Sequence, residues 1–201
     1  MSGKIKYSST RKMIINKKQR KNRQNAFTVS GIILVIALLI GGIVFLTVRA
    51  RPAKISRDFD PEDIVHDQPL FAVHEMSVFD PDTIPFLPKD GPQPKIAFSE
   101  NEHNFGVIGL KDVVTKEFII ANQGDAPLTI VNAYTTCGCT TVEISASLIP
   151  PGKGALAKLV FDAGFHDSGG LTVKRGLIIE SNDPAFPKSE IWTQATVRTT
   201  P

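Results

Sequence analysis

Acidic side chains are missing from the first 57 positions, cysteine occurs twice, and tryptophan occurs once. Two cysteines are too few to build a disulfide scaffold. A Cys-x-x-Cys pair, a second cysteine cluster and a His-Glu-x-x-His pattern are all lacking, which removes the usual zinc and thioredoxin-type signatures. The chain also lacks a phosphate-cradling glycine pattern, and no serine nucleophile motif accompanies Asp162, His166 and Asp167. No small-molecule substrate is identified, and an enzyme is not expected. What remains is 201 residues, 42% hydrophobic and 21% charged. That composition excludes wholesale disorder, collagen and a polytopic membrane protein, and leaves room for one ordinary domain with extensions.

The net charge of +3 conceals a segregated chain. Residues 1–57 hold 13 of the 23 Lys and Arg and no acid, whereas residues 58–201 hold the other ten and all 20 acids. The break follows an uncharged run, residues 26–48, of 23 residues. At 1.5 Å rise it would make ~35 Å of helix, enough to cross a bilayer core. The basic stretch before it is too long, and the apolar core too extended, for a cleaved signal peptide. The expectation is one uncleaved transmembrane α-helix. Nine basic residues precede the span and four follow it closely, which keeps residues 1–25 in the cytoplasm and sends the C-terminal part across. Residues 1–25 read as a topology-setting tail on anionic headgroups. No nucleic-acid partner is expected, because no aromatic residue interleaves with the charges after Tyr7.

Residues 49–94 carry eight of the fourteen prolines and read as an extended Pro-rich linker. Fully extended, 46 such residues would reach ~140 Å. Apolar clusters at Leu70–Val73, Val78–Phe79 and Ile84–Leu87 are more than a solvated spacer needs, and point to contact with the outer domain or a partner.

From residue 95 to 201 the texture is all-β. Strands are expected over 95–98, 113–121, 128–134, 140–144, 155–162, 172–180 and 190–198, separated by turn chemistry. Ala155, Ala157, Leu159 and Phe161 share one face. Leu171, Val173, Leu177 and Ile179 share another, in a row that Arg175 interrupts. Gly169-Gly170 reads as a hairpin turn. About seven strands in this length suit an immunoglobulin-like antiparallel β-sandwich.

Five motifs in order carry a family resemblance: Asn104–Ile108, Asn122–Leu128, Thr136-Cys137-Gly138-Cys139-Thr140, Ile149–Gly152 and Ser181–Pro184. Residues 101–197 thereby resemble the bacterial DUF1573 family, related to the Hydin/ASH immunoglobulin-like domains. Asn104 stands where an acid is common, and Ala195 where the last strand often has Gly. The resemblance implies a usually exported sandwich with no established catalytic activity.

Chemistry concentrates at Cys137-Gly138-Cys139. Two thiols outside the cytoplasm could form a disulfide, bind a soft metal such as copper, or exchange with other thiols. In an extended strand the two residues would sit ~6.5–7 Å apart, near the disulfide limit, and Gly138 could supply the turn that closes the gap. Such a small ring would be easily reduced. His103 and His166 are the weaker candidate metal ligands within the domain. The bland alternative is a small residue pair at a strand start with a glycine bulge. Apart from copper, no cofactor is expected.

The expected whole is a single-pass protein of the cell membrane, with the lipid bilayer and a membrane or envelope protein as partners. Its domain would be an extracytoplasmic binding or assembly module, an accessory or scaffold subunit. The alternative function is copper or thiol handling through Cys137 and Cys139.

Overall fold

The computed structural model describes residues 51–55, 58–74 and 79–199. The span expected over 26–48 and the basic tail over 1–25 lie outside the described residues. Among the described residues no helix is long and apolar enough to cross a membrane.

Eleven strands run in chain order: β1 (Ala53–Lys54), β2 (Leu70–Ala72), β3 (Ile96–Phe98), β4 (Glu102–Ile108), β5 (Val113–Asn122), β6 (Leu128–Thr135), β7 (Thr140–Ile144), β8 (Leu148–Ile149), β9 (Gly154–Asp162), β10 (Thr172–Ser181) and β11 (Lys188–Val197). One sheet has the order β1-β3-β5-β9-β7-β2, and the other β4-β11-β10-β6-β8. Most pairs are antiparallel, but β1 runs parallel to β3 and β4 parallel to β11. Both parallel strands are at sheet edges, where a long chain excursion separates the partners.

Each of the seven expected strands is present, with ends within two residues of the expected ones. Period-two alternation explains why. Ala155, Ala157, Leu159 and Phe161 turn inward from β9 and are buried, while Lys158 is exposed. They meet Phe118 and Ile120 of β5, Leu177 and Ile179 of β10 and Ile191 of β11 in one core. Each such side chain removed from water contributes roughly 1.5–3 kcal/mol. Leu171 departs from expectation: it precedes β10 and is exposed, rather than sharing the face of Val173.

β4 was not expected as a strand from alternation, because its sequence is mostly polar. It is a sheet-edge strand whose register against β11 shifts between Gln194 and Thr196, with Gly106 at φ +75°. A bulged edge needs no apolar row. Gly169-Gly170 is not a hairpin turn. β9 and β10 lie in opposite sheets, so residues 163–171 carry the chain across the sandwich, with Gly170 at φ +78°.

The Pro-rich segment does not stand off as a free spacer where it is described. β1 and β2 join the first sheet, Ile64 and Asp67 bridge to Gly154 and Ala146, and Ala72 is fully buried. The chain enters β2 through Gln68, at φ 51°, whose carbonyl accepts from the Ser147 amide. The ~140 Å reach is therefore lost over these residues, because apolar burial and edge pairing outweigh the extension that proline favours.

Four of the five resemblance motifs are backbone staples. Buried Asn122 donates to the Ala126 and Ile149 carbonyls at 2.7 and 2.9 Å and accepts from the Gly124 amide. Asn182 accepts from Thr129 N at 2.8 Å. The Asp183 carboxylate accepts from Ile96 N and Ala185 N, both at 2.8 Å, and from Phe186 N. Asn104, in place of the more common acid, accepts from Gly106 N at 2.8 Å, which a carboxylate would do equally. Gly152 turns at φ +73° after Pro150-Pro151. The motif around Cys137 is different, since its side chains reach the surface.

Candidate functional site: a disulfide turn between two crossovers

Two connections pass between the sheets at the same end of the sandwich. Residues 136–139 lead from β6 to β7, and residues 163–171 lead from β9 to β10. They are neighbours because β7 and β9 pair with Thr140 opposite Phe161. The first crossover carries the two cysteines, and the second carries Phe165 and His166.

The cysteine turn is pinned from several sides. Thr135, fully buried, donates through Oγ1 to the Cys137 and Thr140 carbonyls at 3.0 and 2.9 Å. The Thr140 amide donates to Cys137 O at 3.1 Å, and the Asp162 amide to Cys139 O at 2.9 Å. Thr136 exchanges bonds with Gly176 of β10 through both its amide and its hydroxyl. Within this turn Cys137 and Cys139 are joined by a disulfide, with Cα atoms 5.2 Å apart. The glycine turn closes the gap that an extended strand would have left.

The two sulfurs are unequal. Cys139 is buried and Cys137 is half-buried. The Arg175 Nε–H donates to Cys139 Sγ at 2.9 Å, while Nη1 donates to Lys174 O and the guanidinium stands 5.8 Å from the Phe161 ring centroid. Burial lowers the pKa of Arg175 from its ordinary value, and no carboxylate pairs with it among the described residues. Arg175 can take this place because β10 runs past the end of β6: their pairing stops at Leu177 opposite Thr135.

A ring nitrogen of His166 and both sulfurs lie within 4.8 Å of one another. Phe165, exposed, packs edge-on against His166 and covers Gly138, where a Cβ would come 3.3 Å from its ring. His74, reached from β2, completes the rim of a broad, open hollow over the turn. Its Nδ1 lies 3.0 Å from the Thr135 carbonyl, which can only accept, so Nδ1 carries the proton.

Of the residues singled out from sequence, Cys137, Cys139 and His166 are brought together. His103 is not. It sits on β4 opposite Thr193, which faces Arg175 on the next strand. There it stacks edge-on with Phe105 and approaches Glu100 at 3.5 Å. Burial acts to raise the Glu100 pKa, but the hydrogen bond and charge of Lys116, with His103, outweigh it and hold it below the ordinary value. His74, read from sequence as a solvated linker residue, belongs to the hollow. Arg175 was missed as a site residue, and its signal was the break it makes in an apolar row.

The class these features define is an all-β, immunoglobulin-like sandwich with an accessible disulfide turn at one end. Residues 96–190 match the family described as a protein of unknown function (DUF1573), so the domain from β3 into β11 is of that kind. No curated protein matches the chain. Among solved structures, it is similar to a protein of unknown function from Porphyromonas gingivalis W83, at 20% identity and a TM-score of 0.47, over 51% of this chain and 46% of that one. It is similar to the YadV chaperone at 14% identity and a TM-score of 0.37, over 51% of each chain. It is also similar to the human CEP192 ASH/PapD-like domain (PapD-like domain 7), at 11% identity and a TM-score of 0.39, over 63% of this chain and 99% of that one. The chain thus spans about half the length of the first two.

Proposed function

We propose that this protein is a membrane-anchored extracytoplasmic binding and assembly module, an accessory or scaffold subunit of a membrane or envelope complex. The uncharged run 26–48 holds it in the bilayer, and the excess of basic residues before that run keeps the N-terminus cytoplasmic. The observation that carries the binding role is β2. This strand ends its sheet, and around it Phe71 and Val73 are 66% and 54% exposed. Natural edge strands are usually blunted by charge or proline; an apolar edge matches recognition by strand addition, in which a partner's extended segment pairs with the backbone and seats alternate side chains. A tether raises the effective concentration of such a contact without demanding tight intrinsic affinity. Thiol chemistry at Cys137–Cys139 is compatible with this role and rests on other residues.

The test is site-specific photocrosslinking in living cells. A photoreactive phenylalanine analogue at Phe71 should give a discrete adduct with one envelope protein, lost when Val73 is changed to Asp. The same analogue at exposed Lys111 should give none. Equal adduct patterns from both positions, or none from Phe71, would remove the binding reading.

A further inference from the structure

The bonds around Cys137 and Cys139 leave the disulfide with little structural work. It closes a loop of three residues, so it removes little freedom from the unfolded chain. The turn it spans is already held by Thr135, Thr136, Thr140 and Asp162 through five hydrogen bonds that involve no sulfur. What the surroundings do supply is asymmetry. One sulfur is half-open to a broad hollow, and the other is buried against a cation that lacks an anion.

We propose that Cys137–Cys139 is a thiol–disulfide exchange site, with Cys137 the attacked sulfur and Cys139 the leaving thiolate beside Arg175; its substrate class is a dithiol polypeptide. This goes beyond the binding reading and does not depend on it. An incoming thiol gives its proton to His166 or water, and its sulfur bonds to Cys137 Sγ. The Cys137–Cys139 bond breaks, and its electron pair leaves on Cys139 Sγ. The substrate's second thiolate then attacks the mixed disulfide, freeing Cys137. The substrate dithiol ends oxidised to a disulfide, and Cys137 and Cys139 end as thiols, so two electrons and two protons are accounted for.

Arg175 is what separates this reading from a metal site. Thiolates are stabilised in electropositive surroundings, and a lower-pKa leaving thiol departs faster. A guanidinium cannot give up its proton, and here it meets a desolvated position with no carboxylate near. The thiolate of Cys139 would provide the missing counter-charge. A copper ion at Cys137, Cys139 and His166 would instead be placed beside a permanent positive charge that already occupies Cys139 Sγ. The exposed Phe165 and His74 at the rim suit a polypeptide laid across the turn rather than an enclosed small ligand.

The experiment uses the full chain in detergent micelles, with dithiothreitol and glutathione as probes. Opening of the disulfide by dithiothreitol at pH 7 is followed by thiol labelling and intact mass. A blocked Cys-Gly-Cys disulfide peptide sets the reference, since it has the same ring without the protein. The folded protein should open at least tenfold faster than the peptide. Arg175→Gln should remove most of that gain, Arg175→Lys should restore part of it, and Lys174→Gln should leave it intact. Acid-trapped glutathione should map to Cys137. Circular dichroism checks each fold; should Arg175→Gln unfold, the peptide comparison and the trapping position still decide. A rate no faster than the peptide, trapping on Cys139, or retention of Cu(I) by the reduced protein against a copper chelator would each overturn the assignment.

Discussion

A guanidinium partly withdrawn from water usually has a carboxylate beside it, since arginine is rarely buried unpaired. Arg175 has instead a sulfur, a carbonyl and the Phe161 ring. In the sequence it is only a fault in an apolar row. Its meaning comes from Cys139, 36 positions away, which linear spacing cannot bring near. Other single residues are decided by space. At Gly124 a Cβ would collide with the backbone of Gln93, Pro94 and Lys95. Gly124→Ala should therefore cost about 2–3 kcal/mol, read as a lower urea midpoint with an unchanged slope. Asp183→Ala leaves three amides without their acceptor, two of them previously bonded at 2.8 Å. It should cost about 3 kcal/mol or more, and Asp183→Asn distinctly less, by the same measurement. Glu100 ties its stability contribution to pH. Its pKa in the fold lies below 4.5, so the contribution is complete above that pH and is lost as pH falls through the folded value. The effect is about 1 kcal/mol or less, and Glu100→Gln should flatten that part of the acid limb in a denaturation series.

At the scale of elements, alternation made β5, β9, β10 and β11 readable, because burying one face of a strand forces period two on its sequence. β2 and β4 escaped the same reading for opposite reasons. β4 is polar and bulged, and an edge position tolerates both. β2 lies in a proline-rich stretch whose local preference is extended and solvated, and its pairing with β7 joins residues about 72 positions apart. The hold on β2 is Ala72, fully buried opposite Val142. Ala72→Asp should bury an unpaired charge and release the strand. Limited proteolysis should then cut between residues 58 and 80 far faster than in the parent, while the fragment beginning near β3 persists. Equal cleavage rates would mean that β2 contributes little to holding this segment.

For the whole molecule, the expected behaviour is that of an integral protein with its β-domain outside. Alkaline carbonate should leave the chain in the membrane pellet, and detergent should release it. Protease added to spheroplasts should remove the epitope at the C-terminus while sparing one at the N-terminus. Recovery in the carbonate supernatant, or protection of the C-terminal epitope, would contradict the anchored topology.

Properties that depend on neighbours along the chain were legible before any folding: the charge divide near residue 57, the uncharged run of 23 residues, the seven alternating strands and the cysteine turn. Alternation and hydropathy are local sums, so a linear reading can take them. The sheet partners of β1 and β2, the crossing made by residues 163–171, and the meeting of Cys139 with Arg175 and His166 come from folding alone. Those contacts join segments tens of residues apart, and the burial shared by two packed sheets selects them where no local preference can.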